Sequence, residues 1–209
     1  MAGSAPTTRD AILAAAMRGF SEKGVAATST REIAAGAGTN VASIAYHFGG
    51  KDGLRAACAQ RVVDRLGVVL GAEGGAGGPS EARLTLADMV QRMSRFLSLD
   101  PEARLVAGFI MREMSEPSAA LDLIYGGVFE PVHRRACALW SAATGRQAES
   151  EEVRLAVFAM IGQIVYFHIG RPVVERRMGW AAIGPAEALA IAATLQRNLL
   201  ARLDADSPP

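Results

Sequence analysis

The stretch from Thr28 to Leu54 reads TSTREIAAGAGTNVASIAYHFGGKDGL and gathers hydroxyls, two cations, a histidine and a tyrosine among small apolar residues. Arg31 carries a planar fork that matches the O6 and N7 acceptors of guanine, and the short chains of Val41, Ala42 and Ser43 can reach a base edge or a thymine methyl. Ser29, Thr30, Tyr46, His47 and Lys51 have the hydroxyls and charge that phosphate oxygens accept from. No paired-carboxylate constellation, G-x-S-x-G or H-E-x-x-H accompanies them, so an enzyme has little to rest on. His133 and Cys137 stand four apart, a spacing that puts two ligands on one helix face. No second His/Cys pair follows and His168 is isolated, so a packed or surface histidine is the expectation, with no metal and no cofactor.

Reading a groove needs a short rigid helix, and the same stretch holds the signals for two. Ser29 followed by Glu32 is a capping box, in which hydroxyl and carboxylate satisfy free amides of the first turn reciprocally. Ile33, Ala34 and Ala37 recur at helical spacing before Gly36 and Gly38 end the helix, Gly38 being expected at positive φ. Asn40 then caps a second helix from Val41 to about Tyr46. Two short helices across a glycine turn form the helix-turn-helix pattern, whose second helix lies in the DNA major groove. Neither is long enough to stand alone. Ile12, Leu13, Ala16, Met17 and Phe20 supply the support, as a stripe on a helix from Arg9 to about Lys23 that Thr8 caps and Gly24 stops. After Gly49-Gly50 a longer helix, Lys51 to about Val69, turns Leu54, Ala57, Cys58, Val62 and Leu66 toward it.

These residues also carry a family resemblance. The run Ile33-Ala34-Ala35-Gly36-Ala37-Gly38, then Tyr46-His47-Phe48 and Lys51-x-x-Leu54, resembles the DNA-binding domain of tetracycline-repressor (TetR) type regulators over about the first quarter of the chain. The segment TNVASIAYHF is most similar to a CecR-like branch. The resemblance implies a homodimeric transcriptional regulator, a repressor that a small molecule held in a helical body releases from a palindromic double-stranded DNA operator. It implies the same nine DNA-contacting positions, matched residue by residue. Where the family often has Tyr this chain has Ala45, so a contact from there is absent and Tyr46 becomes the candidate for a backbone contact.

The 209 residues, half of them hydrophobic, suffice for a buried core in one or two domains. Net charge is +1, but residues 1–65 carry eight Lys/Arg against five Asp/Glu and the rest fourteen against sixteen, the asymmetry expected of a DNA-facing N-terminus. No uninterrupted apolar run approaches a spanning helix, MAGSAPTTRD has no signal pattern, and Cys58 and Cys137 read as buried reduced thiols. A cytoplasmic protein without a membrane partner is expected. Gly71–Gly78, GAEGGAGG, lacks a preceding strand and a phosphate-loop signature and reads as a flexible connector. It divides a DNA-binding domain, 1–70, from an effector-binding and dimerisation domain, 71–209.

The second part has no strand-like alternation, which makes the fold all-α: a three-helix DNA-binding head and a helical bundle. Helices are expected from Ser80 to about Leu99, Glu102 to about Met114, Ser118 to about Thr144 with a kink at Pro131, Glu151 to about Ile169 and Ala186 to about Leu203, before a tail, ADSPP. Pro117 breaks the second from the third. Met89, Met93, Phe96, Phe109, Met114, Tyr125, Phe129 and Trp140 recur along these helices as core or as a pliable effector pocket for a largely apolar ligand, with Glu113 orienting a polar group. The helix 151–169 is apolar on nearly every side and needs more partners than one body supplies. Val157, Met160, Ile161 and Ile164, with Leu195 of the last helix, are therefore the expected dimer interface. The reading from another class is a helical-body enzyme or scaffold without sequence-specific DNA binding; the helix-turn-helix beside an absent catalytic constellation separates the two.

Overall fold

The computed structural model describes residues 7–71, 77–116 and 118–207, and all regular structure among them is helical. In chain order the helices are α1 Thr8–Lys23, α2 Thr30–Gly36, α3 Val41–Phe48, α4 Lys51–Leu70, α5 Pro79–Leu99, α6 Ala103–Ser115, α7 Ala119–Ile124, α8 Glu130–Thr144, α9 Glu151–Ile169, α10 Arg171–Met178 and α11 Pro185–Asp206, with a π turn at Tyr125–Phe129. The arm 1–6, most of the glycine-rich connector (72–76), Pro117 and the last two tail residues lie outside the described residues.

The chain folds into two compact units, each discontinuous in sequence: Met1–Leu66 with Arg104–Val128, and Gly67–Ala103 with Phe129–Pro209. The division differs from a simple cut after residue 70, because most of α6 and all of α7 join the helix-turn-helix. The reason lies in what α6 buries. Phe109 is enclosed and its ring meets Phe20 of α1 at 6.5 Å between centroids. Ser21 Oγ donates to the Leu105 carbonyl at 2.7 Å, and Arg112 donates to the Glu22 carbonyl at 2.7 Å. An apolar stripe announces that a helix has a buried side, but not which neighbour covers it.

Within the first unit Ile12, Leu13, Ala16, Met17 and Phe20 are all buried, as are Ile33, Ala34, Ile44, Leu54, Cys58 and Val62. α1 starts one residue earlier than its stripe implied, since Thr7 is the cap: its hydroxyl accepts from the Asp10 amide at 3.2 Å and the Asp10 carboxylate accepts from the Thr7 amide at 3.2 Å.

In the second unit α5, α8, α9 and α11 surround a core in which Leu86, Met89, Val90, Trp140, Val157 and Leu199 meet. Trp140 Nε1 donates to Asp206 Oδ2 at 3.1 Å, and Asp206 also pairs with Arg202 at 3.1 Å. That buried indole needs an acceptor, which is why α11 runs on to Asp206 and the first residues of the expected tail are helical. The expected long helix 118–144 is α7, the π turn and α8. Pro131 has no amide for the Gly127 carbonyl and its ring crowds that oxygen, so the backbone widens on its N-terminal side.

No uninterrupted apolar run of spanning length occurs in α9, yet an eighteen-residue window of it has a mean hydropathy of 1.4, so by length and composition alone it could cross a membrane. Val153, Val157 and Ile164 of α9 point into the unit's core, while Leu155, Phe158, Tyr166 and Ile169 lie exposed along its other side. Cys58 and Cys137 are free and buried.

Candidate nucleic-acid interface

The helix-turn-helix is assembled by short-range bonds. Thr28 is buried and its Oγ1 donates to the Gly24 carbonyl at 2.8 Å, closing the turn from α1 into α2. Ser29 Oγ accepts from the Glu32 amide at 3.1 Å. The Glu32 carboxylate pairs with Lys23 of α1. That pairing, with help from the Ser29 backbone, holds the Glu32 carboxyl below its usual range and leaves no bare anion at the start of α2. Gly38 adopts a φ of 66°, a conformation any Cβ would strain, and lets the Thr39 amide fold back to the Ala34 carbonyl at 2.9 Å. Asn40 Oδ1 then caps α3 through the Ser43 amide at 3.0 Å.

α3 presents two sides. Ile44 points inward and is buried, while Val41, Ala42, Ala45 and Tyr46 share the outward face; Val41 is 42% and Tyr46 85% exposed. A tyrosine that open on a short helix has no core to serve, and its hydroxyl is available to a partner. Ser43 is half-buried, and its hydroxyl donates to Asn40 Oδ1 at 3.2 Å while accepting from Thr39 Oγ1 at 2.9 Å. The Ser43 hydroxyl thus belongs to the turn. Ala45, excluded on sequence grounds, is exposed on the outward face.

Ser29 and Arg31 are exposed and Thr30 half-buried on the first turn of α2, and Arg31 makes no ion pair or hydrogen bond among the described residues. His47 is half-buried at the end of α3, edge-on to Tyr46 at 5.0 Å, and half-buried Lys51 opens α4. Arg9, expected only to open the first helix, has a tertiary role as well. Its guanidinium lies 5.0 Å over the Phe48 ring, so α1 braces the end of α3. Nothing in local spacing marks that contact.

The aromatic and methionine set does not form one group. Met89, Met93 and Trp140 pack together in the core of the second unit, while buried Phe96 and half-buried Phe129 belong to that unit but not to that core cluster. Phe109 is core in the first unit, where Met114 and Tyr125 are exposed. Glu113 is buried and engaged: it accepts from Arg55 Nε at 2.9 Å and Arg55 Nη2 at 2.7 Å, and from Ser118 Oγ at 2.5 Å. A carboxylate so occupied does not orient an effector.

The five residues expected at a dimer interface are also placed differently. Val157, Ile164 and Leu195 are buried inside their own unit, and Met160 and Ile161 are half-buried. Together Trp140, Met160, Ile164 and Leu195 line a cleft of about 480 Å³ whose polar members include Gln163 and Arg202. The cleft also takes in Leu155 and Ala159 from the exposed side of α9. His133 and Cys137 are in contact, Sγ to Nδ1 3.6 Å, but no group of three metal-capable side chains occurs among the described residues.

Residues 12–58 match the family described as bacterial regulatory proteins, tetR family, and residues 82–205 match the C-terminal domain of the HTH-type transcriptional dual regulator CecR. The chain is 37% identical, over 180 residues covering 82% of it and 80% of its relative, to the HTH-type transcriptional dual regulator CecR of Shigella flexneri. Its fold is similar to a TetR-like transcriptional regulator from Rhodococcus sp. RHA1, with a TM-score of 0.69 and 21% identity over 97% of this chain and 99% of that one. AibR, solved with isovaleryl coenzyme A and operator DNA, has a TM-score of 0.67 at 16% identity, covering 91% of this chain and 96% of its own. At such identities the two structures speak for the fold alone.

Proposed function

The chain belongs to the TetR family of bacterial regulators, with a CecR-type C-terminal domain, and from that premise we propose that it acts as a homodimeric repressor whose hold on a palindromic operator is loosened by a small, largely apolar effector. It is a DNA-binding transcriptional regulator, and its relatives are regulators and not enzymes. The observation that carries the DNA reading is the outward face of α3, where short side chains and an 85% exposed tyrosine stand without any role in the core. Arg31, Val41 and Ala42 would read base edges; Ser29, Thr30, Tyr46, His47 and Lys51 would hold phosphates. The location that suits this work is the cytoplasm.

Two recognition helices are needed because one makes too few contacts, and two-fold symmetry would set them about 34 Å apart on successive major grooves. The side of α9 bearing Leu155, Phe158, Tyr166 and Ile169, with Leu189 of α11, is the surface we assign to the second copy. The cleft beside Leu155 would be closed by that copy. The first unit would thus read DNA and the second hold partner and effector. Met89, Met93, Phe96, Phe129 and Trp140 all belong to the second unit and favour an apolar ligand. Such a ligand acts only if it prefers the conformation that misplaces the recognition helices, since equal affinity shifts nothing. A gel shift with the DNA upstream of the protein's own gene tests the reading. A salt-sensitive, sequence-preferring shift is expected, and its absence at every concentration would sink the proposal. A thermal-shift screen of apolar compounds, each hit then added to the gel shift, tests the effector arm.

A further inference from the structure

We propose that Arg55, Glu113 and Ser118 form a latch that sets the pose of the recognition helix, with Glu113 of α6 as a positioning residue for operator binding. The inference rests on α3 being the DNA reader and does not depend on any effector.

Three observations carry it. The first is the pair itself. Glu113 is 1% exposed, and a carboxylate there is costly unless its oxygens are satisfied. Arg55 meets both with its fork, Nε to Oε1 at 2.9 Å and Nη2 to Oε2 at 2.7 Å, while Ser118 Oγ adds a third bond at 2.5 Å. A buried pair of this kind adds little net stability against an apolar substitute, and its best-attested use is to select one arrangement over others. The second is the short path from Arg55 to the reading face. Two residues before it, Gly53 lies so close to the end of α3 that a Cβ would sit 1.8 Å from the Phe48 carbonyl oxygen. The first turn of α4 and the last residue of α3 are therefore in direct backbone contact, and a tilt of α4 is passed to α3 without slack. The third is that α6 is attached a second time, to α1. Ser21 Oγ donates to Leu105 O and Arg112 to Glu22 O, both at the C-terminal end of α1, and Arg9 of α1 in turn braces Phe48. α6 thus spans α1 and α4 and fixes the angle at which they hold α2 and α3. A segment more than fifty residues from the helix-turn-helix in sequence becomes part of its frame.

The test uses the full chain. Glu113→Gln keeps the shape but removes the charge; Arg55→Lys keeps the charge but loses the two-pronged geometry; Ser118→Ala removes one bond. Affinity is measured for operator and for random DNA across a salt series, and each value is corrected for the folded fraction from a melt under the same conditions. A roughly tenfold or greater loss on operator is expected for Glu113→Gln, with random-DNA affinity and salt slope unchanged, because no phosphate contact is altered. Arg55→Lys should fall between Glu113→Gln and wild type, and Ser118→Ala should lose about two- to threefold. If Glu113→Gln does not fold, the other two variants decide by the same comparison. Losses that vanish on correction for folding, or that are equal on operator and random DNA, overturn the latch. Wild type failing to prefer operator would instead overturn the reading of α3 as the DNA reader, so the two failures are distinct.

Discussion

Phe158→Asp is the sharpest probe of the proposed second copy. The ring stacks on His133 with centroids 4.1 Å apart, yet the residue remains 59% exposed. A phenylalanine side chain presents roughly 200 Å² when fully open, so about 120 Å² of this one faces outward. At about 25 cal/mol per Å², covering it would contribute roughly 3 kcal/mol per protomer, and twice that in a two-fold pair. Half of this sum, allowing for incomplete burial, still corresponds to more than a hundredfold in dissociation constant, and an unpaired carboxylate on the face adds to it. We expect Phe158→Asp to raise the dimer dissociation constant by about a thousandfold or more while leaving the melting temperature of a dilute sample close to that of the wild-type monomer. Val157→Asp is the control: Val157 is fully enclosed, so its carboxylate would enter the unit's own core and unfold it. Sedimentation velocity at low micromolar concentration, paired with a thermal melt, separates the two outcomes. Wild-type monomers, or a Phe158→Asp protein as dimeric as wild type, would refute the assignment of this face.

Three further expectations can be checked alongside. Arg31→Ala should cost about 1–3 kcal/mol of operator binding and relax preference at one base pair per half-site, whereas Lys51→Ala should weaken all sequences alike and lower the salt slope by about one; equal losses on operator and random DNA from both would refute the division of roles. Burial pushes the Cys58 thiol up to about 12 from its ordinary 9.0. Its raised folded value means that stability is full below about pH 9 and is lost as pH climbs toward 12, because the unfolded chain ionises first. Urea melts at pH 8 and pH 10 should therefore differ by roughly 1 kcal/mol more for wild type than for Cys58→Ala, and Cys58 should resist thiol reagents until the chain unfolds. Trp140→Phe should destabilise the second unit by about 1–3 kcal/mol through the acceptor it strands at Asp206, and the same substitution in an Asp206→Asn background should cost less.

What the sequence alone determined is local. The Ser29 cap, the positive φ of Gly38 and the Asn40 cap depend on atoms within three or four residues of one another, so composition and spacing were enough to place α2, the turn and α3. The stripe on α1 was legible for the same reason, and the resemblance of Ile33–Leu54 carried the function with it. Tertiary structure decided everything that depends on a partner far along the chain. α6 has an apolar side in any reading, but only packing shows that it lies on Phe20 and that Glu113 belongs to Arg55. Arg9 found Phe48 from another helix. α9 is the clearest case: a helix apolar nearly all round has no phase in its sequence, so nothing could tell Val157 and Ile164, which face inward, from Phe158 and Tyr166, which face out. Hydrophobicity is non-directional, and only the position of neighbouring helices chooses which of its residues become core.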